Sequence, residues 1–144
     1  MISRFYLASI HPECGGSVSN ALRQTLGTRV RLSRVDPLAN VHFEKNNATP
    51  IALFLDMDGL SDDQAREILV EAKQEGLPVV MLASDIEIIS ADLVDEFRIW
   101  TCLTARPEGR FRRSVQSVAV DLVNFHLLKE VENNLRDGFH RTTR

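Results

Sequence analysis

Apolar positions along the chain fall into short runs of the length of buried strands, most of them followed by a stretch in which apolar residues recur every three or four positions. The first run is Arg4 to Ile10. It breaks at His11-Pro12 and Gly15-Gly16, and Ser17 is placed to cap a helix that Gly27 stops after Leu26. Arg29 to Val35 alternates arginine with apolar residues, the pattern of a half-exposed strand at a sheet edge. Asp36-Pro37 then opens either a short helix or an irregular stretch, ending in the polar Glu44 to Asn47.

The middle of the chain is the most regular. Pro50 to Leu55 is a continuous apolar run closed by Asp56. Ser61 and Asp62 open a helix whose Ala65, Ile68, Leu69 and Ala72 share one face, and Gly76 ends it. Pro78 to Ala83 predicts a fourth strand and Ile86 to Phe97 a helix, with Ser90 an alternative start. Ile99 to Thr104 predicts a fifth strand closed by Arg106-Pro107. Five strand–helix repeats imply an α/β, three-layer (αβα) sandwich around a five-stranded parallel sheet with right-handed crossovers. In such sheets ligands meet the carboxyl ends of the strands, so functional residues are expected just after each strand.

The last helix is predicted from Phe111 to Asp137, ending at Gly138 and spanning roughly 40 Å at 1.5 Å per residue. That exceeds the width of a domain this size. Val115, Val118, Leu122 and Phe125 suit packing on the sheet. Leu128, Val131 and Leu135 form a thin apolar stripe among charges, read either as a solvent-exposed tail helix or as a dimerising, signal-transmitting one. His140 to Arg144 reads as a disordered end. The domain reading is therefore 1–127 for the α/β unit and 128–144 for a helical extension and tail.

Composition narrows the class without changing this picture. The 144 residues suit one domain, and 44 % hydrophobic with 26 % charged residues is globular usage. No apolar run approaches the ~18 residues of a membrane span, and Glu13 interrupts the place where a secretory signal would continue. A net charge of −3 provides no overall basic footprint, so neither nucleic acid nor membrane is an expected partner. Cys14 and Cys102 are too far apart in sequence to suggest a cysteine metal motif, and a reduced cytoplasmic protein is expected. Cys102 reads as a buried small hydrophobe. Cys14, beside Gly15-Gly16, reads either as inert or as a thiol of lowered pKa. His42, His126 and His140 have no metal-ligand spacing.

Residues that follow strands are His11 and Glu13, Asp56 and Asp58, Ser84 and Asp85, and Arg106-Pro107. Leu53-Phe54-Leu55-Asp56-Met57, Met57-Asp58-Gly59-Leu60, the run 77–84 and Arg106-Pro107 together resemble a receiver domain of two-component signalling, over residues 3–125. The resemblance implies a flavodoxin-like (βα)5 fold and a phosphoacceptor at Asp56. It also implies a sensing hydroxyl at Ser84 and a phosphate contact at Arg106, where the family has Lys before a cis-proline. The separations of 28 and 22 residues fit that layout. The family's Mg²⁺-holding acidic pair belongs near Ser9 to Glu13, where the chain reads Ser-Ile-His-Pro-Glu; Glu13 and Asp58 are the only candidate acidic ligands. Mg²⁺ needs near-octahedral oxygen ligation, so a lone Asp56 suits it poorly. These departures point to a pseudo-receiver: a non-catalytic signalling module needing no cofactor, or Mg²⁺ only if the site works. Its expected partners are a sensor kinase or an output domain, and it is expected to form a homodimer.

Asp56 has two further readings: a cap or amide acceptor for the following helix, and an ion pair with Arg106. Ser84 and Asp58-Gly59 also suit turns. Arg106, Arg110, Arg112 and Arg113 read as a solvated helix face or an anion contact. A competing resemblance is to the sugar isomerase (SIS) fold. There, Gly15-Gly16-Ser17 and Asp56 to Ser61 would stand for phosphosugar-binding turns, with Ser17 and Ser61 as ligands. Aspartates in the second turn oppose an anionic ligand.

Overall fold

In the computed structural model, which describes residues 1–142 and side chains through 138, five parallel strands lie in the order β2-β1-β3-β4-β5. They are β1 Ser3–Ala8, β2 Val30–Val35, β3 Thr49–Asp56, β4 Val79–Ala83 and β5 Thr101–Thr104. Four helices join them: α1 Pro12–Leu26, α2 Asp62–Gln74, α3 Ala91–Phe97 and α4 Glu108–Thr142. The α/β sandwich predicted from the alternation is the one observed.

Period-two side chains divide the core between the two sheet faces. Phe5 and Leu7 of β1, Phe54 of β3 and Val80 and Leu82 of β4 pack with Val18 and Leu22 of α1 and with Phe111, Val115 and Leu122 of α4. The alternate residues Tyr6, Leu53, Leu55, Val79 and Met81 pack with Ala65, Ile68 and Leu69 of α2 and Leu93 of α3. The β1–β3 register shifts between Arg4 and Phe5, so Ile51 is an added residue that joins Ala52 on the α1/α4 side.

The β2–β3 connection takes the irregular alternative and contains no helix. Its sequence has no 3.6-residue apolar period, and Asn47 adopts a φ of 63°. Side chains anchor it instead. Phe43 is buried edge-on against Tyr6 with centroids 5.0 Å apart, and the Tyr6 hydroxyl donates to the Glu44 carbonyl. Arg4 donates to Ser33 Oγ at 2.6 Å and to the Asn46 carbonyl at 2.8 Å.

Three helix boundaries differ from expectation. Helix α1 begins at Pro12, not after Ser17, because proline suits a first helical position and Gly15 lies inside the helix against the Arg34 side chain. A Cβ on Gly15 would lie 2.4 Å from Arg34 Nη1, and that guanidinium accompanies the helix start by donating to the His11 and Pro12 carbonyls. The 86–97 segment splits into a 3₁₀ turn, Ile86–Ile88, and α3 starting after Ser90. Helix α4 starts earlier, at Glu108, and passes through Gly138 to Thr142. A single glycine costs a helix only about 1 kcal/mol, so neither Gly138 nor His140 ends it. The remainder of the expected disordered end, Thr143 and Arg144, lies outside the described residues.

Among the described residues no helix is long and apolar enough to cross a membrane.

Candidate functional site

The carboxyl ends of β1, β3, β4 and β5 open into one cleft of about 430 Å³. Its lining includes His11, Glu13, Cys14, Ser17, Asp56, Asp58, Ser84 and Arg106, so most of the strand-end residues singled out from sequence are brought together. Asp85 is not, its side chain instead accepting from the Glu87 amide at 3.0 Å. Ser61 is not in the lining either. The cleft lies where the strand order reverses between β1 and β3, the position at which open α/β sheets place their ligands.

Asp56 ends β3 at the cleft floor and is 5 % exposed. Ser9, one residue past β1 on the neighbouring strand, is 9 % exposed and donates its hydroxyl to Asp56 Oδ2 at 2.6 Å. The Asp58 amide donates to Asp56 Oδ1 at 3.0 Å. Each carboxylate oxygen thus has a neutral donor. Hydrogen bonds to an ionised acceptor are roughly twice as strong as neutral ones, and they offset the cost of burying this charge. Ser9 is itself positioned, because its Oγ accepts from the His11 amide at 3.0 Å.

Asp58 turns the opposite way, toward β4. Its Oδ1 accepts from the Ser84 amide at 3.0 Å and from Ser84 Oγ at 3.1 Å. Gly59 follows at φ 81°, so Asp58-Gly59 is a turn as its sequence indicated. The result is a hydrogen-bonded relay from the Ser9 hydroxyl to the Asp56 carboxylate, through the Asp58 amide, and from the Asp58 carboxylate to Ser84, spanning the ends of β1, β3 and β4.

Two readings of Asp56 are corrected by this geometry. It does not cap α2: Ser61 does, in a capping box with Gln64 that accepts at 3.1 Å and donates at 2.9 Å. Nor does it pair with Arg106, which forms no ion pair among the described residues and stands exposed on the rim before a cis peptide to Pro107. Glu13 stands at the cleft rim; its side chain is 80 % exposed and its Oε1 lies 3.9 Å from His11 Nδ1. Among the described residues no group of three His, Cys, Asp or Glu side chains is arranged to hold a metal.

Burial pushes the Cys14 thiol up to about 11, and the neighbouring Asp56 charge adds to this. The lowered-pKa reading of Cys14 is therefore reversed. Cys102 is half-buried rather than fully enclosed, and burial raises its thiol too.

The phosphosugar reading loses its first turn, because Gly15-Gly16-Ser17 lies inside α1 and not in a loop. Ser61, its second ligand, has its hydroxyl committed to the α2 cap.

Ser9 is the residue that sequence reasoning passed over. A signal was present: a small hydroxyl at the strand end where an acidic residue was expected, on the strand next to the one ending in Asp56.

No protein-family model matches the chain, and no curated protein is similar to it. Solved structures are. A response regulator receiver protein from Pseudoalteromonas atlantica superposes with a TM-score of 0.62 at 16 % identity, over 85 % of this chain and 98 % of its own. The phosphorylated cyanobacterial phytochrome response regulator RcpA gives 0.61 at 18 % identity, over 85 % and 95 %. A fusion carrying the yeast Spc42 trimeric coiled coil gives 0.58 at 15 % identity and spans 99 % of this chain. The chain has the fold of response-regulator receiver domains.

Proposed function

We propose that this chain is a signalling module of the receiver type that works through protein contacts, with its strand-end cleft held in one state and not cycled by phosphorylation. The observation that carries the reading is the buried Ser9–Asp56 hydrogen bond at 2.6 Å. Phosphoryl transfer to a carboxylate needs a free oxygen as nucleophile and a cation to neutralise the transferring group. Here each Asp56 oxygen accepts one hydrogen bond, from Ser9 or Asp58, which weakens it as a nucleophile, and a hydroxyl stands where a second carboxylate would be needed. The donor set does not fit Mg²⁺: one buried carboxylate is committed to hydrogen bonds, Glu13 faces solvent and Asp58 holds Ser84.

On this reading Ser84 and Arg106 keep receiver-like places without receiver chemistry, and no residue of the cleft acts as a catalyst. The α/β unit, 1–127, is the rigid platform, and the segment from 128 is the part that meets partners. A sensor kinase or an output domain is the expected heterologous partner, in the cytoplasm, and a second copy of the chain the expected homologous one through α4.

Incubation with acetyl phosphate and Mg²⁺, read by intact mass, tests the proposal. No phosphoryl adduct is expected. An adduct that disappears in Asp56→Ala would overturn it.

A further inference from the structure

The sandwich is divided by charge. Helices α1 and α4 lie side by side on one face of the sheet, where Gln116 of α4 donates to Gln24 Oε1 of α1 at 3.0 Å, and β2 is the sheet edge beside α1. From Cys14 to Val35, spanning most of α1 and all of β2, the chain has Arg23, Arg29, Arg31 and Arg34 and no carboxylate. From Ala105 to Ala119, at the start of α4, it has Arg106, Arg110, Arg112 and Arg113 against Glu108. With the bordering acids Glu13, Asp36 and Asp121 counted, cations still outnumber carboxylates two to one. The opposite helical layer is acidic: from Asp62 to Glu96, across α2 and α3, ten carboxylates stand against Arg66 and Lys73. The net charge of −3 averages the two layers and describes neither.

All eight arginines of the basic layer are exposed, and among the described residues none forms an ion pair. Arg31 and Arg34 donate only to main-chain carbonyls, which leaves further N–H groups of each guanidinium for a ligand. Helix dipoles do not account for the set. Arg23, in the last turn of α1, suits its dipole, whereas Arg110, in the first turn of α4, opposes it. Between α1 and β2 a groove of about 490 Å³ is lined by Arg23 and Arg31 together with Ser19 and Thr28.

This layer lacks the anchors that other partners use. None of the exposed large apolar side chains lies at 11–35 or 105–119, and the one aromatic ring there, Phe111, is 5 % exposed. Protein interfaces centre on buried aromatic or apolar hot spots, and helices that bind lipid insert apolar residues. Single-stranded nucleic acids stack their bases on aromatic rings. A duplex backbone needs none of these: guanidinium forks and neutral polar groups, here the exposed Ser17, Asn20 and Thr25, donate to its phosphate oxygens.

We propose that α1, β2 and the first two turns of α4 form a face that binds the phosphate backbone of a nucleic-acid duplex without reading its sequence. The acidic α2/α3 layer is repelled by the same polyanion, so it turns outward and fixes which side approaches. The face adjoins the strand-end cleft at Arg106 but works whether or not Asp56 is phosphorylated.

Fluorescence anisotropy of a short labelled DNA duplex of mixed sequence, titrated with the full chain, tests this. Four phosphate contacts, half of the eight arginines, give a slope of log affinity against log salt of about −3.6, so binding should weaken about 150-fold between roughly 50 and 200 mM KCl. Arg112→Gln with Arg113→Gln should flatten the slope by about 2 and weaken low-salt binding at least tenfold, and Arg23→Gln with Arg29→Gln should do the same. Arg66→Gln with Lys73→Gln removes equal charge from the opposite layer and should change the affinity less than about threefold. Circular dichroism verifies the fold of each variant. Equal losses from all three pairs would show a response to net charge alone and overturn the proposal. So would no binding at low salt, tighter binding of a single strand of the same length, or equal affinity for poly-glutamate. Retention on phosphatidylserine vesicles without duplex binding would overturn it in favour of a membrane.

Discussion

The ends of β1 and β3 lie side by side at the floor of the cleft, yet they carry opposite kinds of group. Strand β3 ends in a buried carboxylate, Asp56, and β1 leads to a buried hydroxyl, Ser9, that donates to it at 2.6 Å. A pair of acids at these two ends would repel until a cation joined them. An acid and a hydroxyl satisfy each other at once. On the proposed function, the Ser9 side chain is what separates a closed hydrogen-bonded relay from a metal-dependent reaction site on the same fold.

Replacing the hydroxyl breaks that complementarity most severely. In Ser9→Asp a second carboxylate is buried against Asp56, and the loss in stability should be about 3–5 kcal/mol, the range of an uncompensated buried charge. Chemical denaturation near neutral pH measures it, and acidification to protonate one of the pair should recover part of the loss. Stability unchanged within error would mean that Ser9 does not face Asp56 as described.

A smaller effect is expected one step along the relay. Asp58→Ala removes the acceptor for the Ser84 amide and hydroxyl, which are solvent-accessible, so about 1 kcal/mol should be lost in the same measurement. The loss should stay well below that of Ser9→Asp.

The relay also affects Cys14, which lies beside Asp56. Its thiol is raised from 9.0 to about 11 by burial first and by the Asp56 charge second. A raised thiol pKa contributes stability that is fully present below about 9 and is lost as pH climbs through about 11. At pH 8 the thiolate fraction should be about a hundredfold below that of an unperturbed cysteine. Alkylation of Cys14, followed by mass spectrometry of the folded chain, should be slower by a similar factor. A rate equal to that of the unfolded chain would contradict the packed, anion-flanked position.

The contrast between the two strand ends also shows what sequence could and could not convey. The strands were legible because buried parallel strands are continuous apolar runs, and Asp56, Ser84 and Arg106 were legible because each directly follows one. The convergence of His11, Asp56, Ser84 and Arg106 on one cleft followed from that topology. The pairing of Ser9 with Asp56 was not legible, because it depends on lateral register between β1 and β3, including the shift at Arg4/Phe5 that adds Ile51. The start of α1 was missed for a related reason. Gly15-Gly16 looks like a loop until Arg34 on β2 is known to occupy the space that a Cβ at Gly15 would fill. The outward stripe of α4 was partly visible as Leu128, Val131 and Leu135, but its continuation through Val120 and Leu127 required knowing which face the sheet covers.

The most direct test of the central claim is calorimetric titration of Mn²⁺ into the wild-type chain and into Ser9→Asp, under identical buffer. The account predicts no saturable binding to the wild type at millimolar Mn²⁺, and one site in the variant that restores its lost stability. Saturable binding to the wild type that disappears in Asp56→Asn would contradict it.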